Sequence, residues 1–155
     1  MGYRVFVDGA EGTTGLQIFQ RLKKHGGIEL LEIESEKRKD AGCRAELMNL
    51  ADIVFLCLPD AAAVEAVGMV TNSNTRIIDA STAHRTAPNW VYGFPEKSPV
   101  RRKDIANACL LYTSVPSDEA ETLIESGKYT VFSEGGNISA DADFAIVVVY
   151  GGLAG

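Results

Sequence analysis

Gly9, Gly12 and Gly15 stand three apart, and Thr13 and Thr14 fill the gap before the last of them. Chain without side chains, followed by hydroxyls, is suited to holding an anion. Amide N–H groups reach a phosphate most closely where no Cβ intervenes, and threonine hydroxyls add donors. The stretch VDGAEGTTGLQIFQRL sets this group directly after an apolar run and directly before an amphipathic one. A dinucleotide-binding turn needs glycine where the chain bends, where backbone approaches the pyrophosphate, and where helix packs against strand. Gly9, Gly12 and Gly15 suit these three roles, and the following helix would aim its free amides and positive dipole end at the phosphates. The spacing is G-x-x-G-x-x-G and not the commoner G-x-G-x-x-G. A nucleoside-triphosphate loop would require Lys and Ser/Thr after the last glycine, where this chain has Leu16 and Gln17. The same glycines would also serve a plain strand-to-helix turn.

Other polar groups bear on the same ligand. A cofactor with a free ribose 2′-hydroxyl is met by a carboxylate, and one with a 2′-phosphate by basic or hydroxyl groups. Glu32 and Glu34 can serve the first; Ser35, Arg38 and Lys39 can serve the second, and a solvated charged loop would have the same composition. The cluster leans towards NADP. Further on, LCLPD carries Pro59, which would fix a turn passing over the cofactor, and Cys57, which reads as a small buried hydrophobe inside an apolar run. DASTAHR carries Ser81 and Thr82 as candidate donors to the cofactor. His84 and Arg85 can face an anionic substrate or hydrogen-bond the loop. The three cysteines are odd in number and widely spaced, and only two histidines accompany them. Neither a disulfide framework nor a metal site is expected.

Positioning these residues requires alternating elements. Residues 3–8 (YRVFVD) read as a strand, and Leu16, Phe19 and Leu22 recur at helical spacing until Gly26 and Gly27. Residues 28–34 read as a second strand, 45–50 as part of a short helix, and 52–58 as a third strand. A helix over 61–70 and a fourth strand over 75–79 follow. This pattern predicts an α/β fold, a Rossmann-type parallel sheet with helices on both faces. After Ala80, Pro88, Pro95 and Pro99 exclude one continuous helix or central strand. Residues 110–115, 129–133 and 144–150 read as strands and 117–126 as a helix, in a C-terminal tail whose fold the pattern leaves open. A length of 155 residues with 46% hydrophobic content suits one globular domain. The formal charge of −6 argues against nucleic acid as partner. The longest apolar runs are too short for a membrane span and no leader is visible, so a cytoplasmic protein is expected.

With these residues placed, the chain resembles the N-terminal part of N-acetyl-γ-glutamyl-phosphate reductases in their shorter form, within the semialdehyde dehydrogenase superfamily. The resemblance is carried by VFVDGAEGTTGLQIFQRL, IESEKRKD, ADIVFLCLPDAA, TRIIDASTAHR and WVYGFPE, in the family's order, over roughly residues 1 to 105. It implies an NADPH-dependent oxidoreductase of arginine biosynthesis. Such an enzyme takes a small-molecule acyl phosphate to a semialdehyde through a cysteine thioester, and works as a homo-oligomer at full length. By the same resemblance, Gly9, Gly12, Thr13, Thr14 and Gly15 would hold the pyrophosphate and Ser35, Arg38 and Lys39 would lie near the 2′-phosphate. Pro59 and Ser81 would lie near the nicotinamide.

The family's nucleophile stretch, of the type Asn-Pro-Gly-Cys-Tyr-Pro-Thr, has no counterpart here. Cys109, in IANACLLYTSV, lacks that lead, comes too early, and beside Leu-Leu is expected to be buried. No catalytic residue is assigned. The expected organisation is a dinucleotide-binding domain over residues 1–108 and an unassigned tail over 109–155, foreign or truncated sequence, with no turnover by the chain as it stands. Two other readings remain open: a non-catalytic NADP(H)-binding sensor or partner-binding module, and another semialdehyde dehydrogenase.

Overall fold

A computed structural model of the chain describes residues 2–93 and 99–113. Along these, β1 (Tyr3–Asp8), α1 (Thr13–Lys23), β2 (Ile28–Leu31), a 3-10 turn (Ser35–Lys37), α2 (Ala41–Leu50), β3 (Ile53–Leu56), α3 (Asp60–Met69) and β4 (Arg76–Asp79) alternate as the sequence predicts. Then come β5 (Val91–Tyr92), α4 (Pro99–Asn107) and β6 (Leu110–Tyr112). The strands form one sheet in the order β2-β1-β3-β4-β6-β5, and every pair is parallel. Parallel neighbours require crossover connections, and crossovers are right-handed. From β1 the chain moves outward to β2, then returns past β1 to β3. The direction reverses, so α1 lies on one face and α2 and α3 on the other.

The buried residues agree with that division. Phe6, Val54, Leu56 and Ile77 from the sheet, Met48 from α2, and Ala63 and Ala66 from α3 form one core cluster. Register pairs Phe6 with Val54 and Val54 with Ile77, so these side chains point to one face. Val5 and Val7, buried and one residue out of phase, line the opposite face. Alanines at 63 and 66 let α3 lie close on the sheet. Asn49 joins α2 to the chain after α3: its side-chain amide donates to the carbonyls of Ala45 and Met69, and its oxygen accepts from the amides of Thr71 and Asn72.

Several expectations are corrected in detail. α1 begins at Thr13, so Gly15 lies within its first turn and not ahead of it, and Leu16 is exposed. α2 starts at Ala41, because Asp40 caps it by accepting the amide of Cys43 at 2.7 Å. Pro99 opens α4, where its missing N–H has no partner to lose. Cys109 is exposed. β6 joins the sheet between β4 and β5. The strands expected over 129–133 and 144–150 and the helix over 117–126 lie outside the described residues. Among the described residues no helix is long and apolar enough to cross a membrane.

Candidate functional site: the carboxyl edge of the sheet

Register places Asp8, Leu56, Asp79 and Tyr112 in one row across the sheet. Beyond that row, at the carboxyl edge, lie Gly9 to Gly15, Pro59, Ser81, His84 and Arg85. Ligands of open α/β sheets bind at this edge, in the crevice where strand order reverses. Here the reversal falls between β1 and β3, at the glycine turn.

The three glycines have different reasons. Gly9 has φ +82, and a Cβ on it would come within 2.3 Å of the Cys57 carbonyl oxygen. The turn crosses directly over the end of β3, and only glycine fits. Gly15 would put a Cβ 2.1 Å from the Gly9 carbonyl oxygen, so α1 packs against its own leading turn without a side chain between them. Gly12 is not needed for packing. It is exposed, its φ of −68 suits any residue, and a Cβ there would meet nothing nearer than the Gly9 oxygen at 3.4 Å, an ordinary contact. Its bare face looks into open space.

Gly12 caps α1, whose first turn holds no acidic side chain and receives no side-chain cap. The Gly12 amide is taken by the Gly9 carbonyl at 3.1 Å, and the Leu16 amide by the Gly12 carbonyl at 2.8 Å. Among the described residues, the amides of Thr13, Thr14 and Gly15 have no partner. Such orphan donors at a helix start concentrate the positive end of the helix dipole, about half an elementary charge. A diphosphate or similar anion would satisfy them, and so the residues present fit the group that the sequence implies.

The basic cluster is only partly gathered. The Arg38 guanidinium forms an ion pair with Glu11 of the glycine turn, and its Nε donates to the Ser35 carbonyl at 2.8 Å. Ser35, Arg38 and the turn are thereby brought together. Lys39 is exposed and its side chain makes no polar contact among the described residues. Glu34 pairs with Lys37 at 2.7 Å.

Pro59 caps α3, its carbonyl accepting the Ala63 amide at 2.9 Å. Ser81 is buried and turned inward. Its amide and hydroxyl both donate to the Asp79 carboxylate, at 2.9 and 2.8 Å. Thr82 is likewise committed, with amide and hydroxyl donating to Asp60 at the start of α3. His84 is held inside the loop: its Nδ1 lies 2.6 Å from Asp79, and its ring stacks on Trp90 with centroids 4.2 Å apart. A carboxylate only accepts, so Nδ1 carries the proton in this pair. The loop-bonding reading of His84 is the one the geometry favours.

Cys57 sits half-buried at the end of β3. Burial first, and then the nearby Asp79 and Asp8 carboxylates, push its thiol up to about 12, so it stays protonated at neutral pH. Cys109 precedes β6, and its carbonyl accepts the Ile77 amide at the start of β4. It therefore lies on the amino edge, away from the turn. No described cysteine is placed as a nucleophile toward a ligand at the turn. Sequence reasoning passed over Glu11, Asp60 and the buried Asp8–Arg44 pair at 2.8 Å. A charge inside a glycine turn and an acid at the first helical position were the available signals.

This sheet and its switch point define a Rossmann-type α/β fold, and residues 40–108 match the family model described as the semialdehyde dehydrogenase NAD binding domain. More narrowly, about two-thirds of the chain is similar to proteins named N-acetyl-gamma-glutamyl-phosphate reductase. It is 57% identical over 105 residues to one from Nostoc sp., covering 68% of this chain and 33% of that protein. It is 56% identical over 104 residues to one from Burkholderia orbicola, covering 67% and 33%. The match spans about a third of the length of these relatives. Among solved structures, aspartate semialdehyde dehydrogenase from Francisella tularensis is similar with a TM-score of 0.56 at 14% identity, over 81% of this chain and 41% of that one. The enzyme from Candida albicans, solved with NADP, gives 0.52 at 15% identity, over 82% and 40%. At such identities these two report on the fold alone.

Proposed function

We propose that the chain is the NADPH-binding part of a cytoplasmic N-acetyl-γ-glutamyl-phosphate reductase, an oxidoreductase acting on an acyl phosphate. The observation that carries this reading is Gly12: a glycine that packing does not require, set beside three unpartnered amides at the start of α1. Gly12, Thr13, Thr14 and Gly15 would hold the pyrophosphate, with Gly9 shaping the turn beneath them. Arg38, Lys39 and Ser35 would meet the 2′-phosphate. Pro59 and the loop carrying Ser81 would border the nicotinamide side, Ser81 as a support of that loop through Asp79. When bound, the nicotinamide supplies hydride. The relatives' shared name supports the substrate class.

Titration of the chain with NADPH and NADH tests the reading. NADPH is expected to bind more tightly, and Arg38→Ala to weaken NADPH while leaving NADH nearly unchanged. Binding of neither nucleotide rejects the cofactor assignment; equal binding with a silent Arg38→Ala rejects the 2′-phosphate assignment.

A second reading, a binding module without catalysis, is favoured by the thiols. Cys57 is held protonated and Cys109 faces the other edge. Assay in the reverse direction, with aldehyde, phosphate and NADP, tests what both readings expect of this chain, nucleotide binding without turnover; turnover would reject the module.

A further inference from the structure

We propose that Glu11 sets nucleotide preference by competing with the 2′-phosphate for Arg38. The inference rests on the dinucleotide reading above and deepens it. Glu11 is the one charged residue between Gly9 and Gly15. Its carboxylate pairs with the Arg38 guanidinium, both side chains being partly exposed, at 65% and 39%. The other described charges nearby are engaged elsewhere or lie apart: Lys37 pairs with Glu34, Arg44 with Asp8, and Lys39 has no partner among the described residues. Arg38 is therefore already compensated before any ligand arrives, and its orientation is set by the Ser35 carbonyl.

The two nucleotides meet this pair differently. A 2′-phosphate reaches Arg38 only by displacing the Glu11 carboxylate, so its binding is reduced by the stability of the internal pair. A ribose with a free 2′-hydroxyl leaves the pair intact. Glu11 also places negative charge beside the turn, and this repels both diphosphates alike. The repulsion of the diphosphate cancels in the ratio of affinities; competition for Arg38 and direct repulsion of the 2′-phosphate do not. Exposed ion pairs are weak, which bounds the change in the ratio at about two- to fivefold.

The test is the ratio of NADH to NADPH dissociation constants in the full chain, measured for wild type, Glu11→Gln, Arg38→Ala and the double variant. Glu11→Gln is expected to raise the ratio about two- to fivefold, less at roughly 0.5 M salt because exposed charges are screened. In the Arg38→Ala background the same substitution is expected to change the ratio less. Both nucleotides binding with a ratio insensitive to Glu11→Gln overturns this inference alone, as does an equal effect with and without Arg38. Wild type binding neither nucleotide overturns the reading of the turn and this inference with it.

Discussion

Replacing each glycine of the turn by alanine separates packing from ligand contact, because the three positions fail for different reasons. At Gly12 the added methyl meets only ordinary contact at 3.4 Å, and the backbone is already in a conformation open to any residue. Alanine is the poorer cap there by roughly 0.5–1 kcal/mol. The reduced freedom of the unfolded chain returns about 0.4–1 kcal/mol. Stability should thus change by no more than about 0.5 kcal/mol. At Gly15 the methyl would sit 2.1 Å from a backbone oxygen, and at Gly9 it would sit 2.3 Å from another with φ +82 as well. Neither obstacle is the end of a flexible side chain that can move aside. Overpacking costs about 1–3 kcal/mol, and the left-handed conformation adds roughly 1 kcal/mol or more at Gly9. Urea unfolding measures these differences, and nucleotide titration of the folded Gly12→Ala protein measures the rest. Its affinity for NADPH should fall about tenfold or more, equivalent to at least ~1.4 kcal/mol, with stability intact. A Gly12→Ala protein that binds as wild type would refute the argument that its open face receives the phosphates. A Gly15→Ala protein as stable as wild type would refute the packing argument.

Three further outcomes are expected. Asn49→Ala should destabilise the fold by about 2 kcal/mol in urea unfolding, since the Met69 carbonyl and the Asn72 amide lose their partner together; a change under ~0.5 kcal/mol would mean that water replaces the amide at no cost. Arg44→Met, which strands the buried Asp8 carboxylate, should cost about 3 kcal/mol or more, and adding Asp8→Asn should recover part of the loss; strict additivity of the two would count against the pair. At pH 8, Cys57 should react with a thiol reagent on the order of 10³-fold more slowly than a free thiol of ordinary pKa ~8.5, because only the thiolate attacks. Raising the pH deprotonates it, so its rate should climb about tenfold per unit towards 12. Equal labelling of Cys57 and Cys109 in the folded protein would contradict the raised pKa of Cys57.

The alternation of strand and helix through β4 was legible because each element carries its own period and its own stop. YRVFVD became β1 with the expected bounds, and RIID became β4 one residue short of the expected start. The second strand ended early, at Leu31, because the charged residues that follow turn into the loop bearing Arg38 and cannot be buried in a sheet. After Ala80 the strand read from residue 110 was legible, as β6, but the rest and its place in the sheet were not, for a physical reason. β5 is two residues long, and β6 inserts between β4 and β5, so its place depends on pairing with distant strands and not on local pattern. Pro99 was read as a breaker when it stands at the one helical position where proline costs nothing.

The candidate site shows the same division between what local sequence carries and what tertiary pairing decides. Glycine spacing announced the turn, and the open face at Gly12 and the unpartnered amides follow from the turn's own geometry. The hydroxyls of Ser81 and Thr82 looked equally available in sequence, yet each donates to a carboxylate of the protein: Asp79, at the end of its own strand, and Asp60, 22 residues away. A hydroxyl next to a strand end is a candidate donor until its proton has a nearer acceptor, and sequence does not reveal where that acceptor will be. The same argument makes Asp60 a control on the nicotinamide side. Asp60→Asn keeps the side-chain shape at the first residue of α3 and weakens the grip on Thr82, so it should loosen the loop after β4 without touching the pyrophosphate turn. In the terms of nucleotide titration, the diphosphate contribution common to both nucleotides should persist. Any loss of affinity should be the same for NADPH and NADH, since both carry the same nicotinamide. A loss confined to NADPH would show that the loop after β4 reports to the 2′-phosphate, and the division of the edge into two ends would then be wrong.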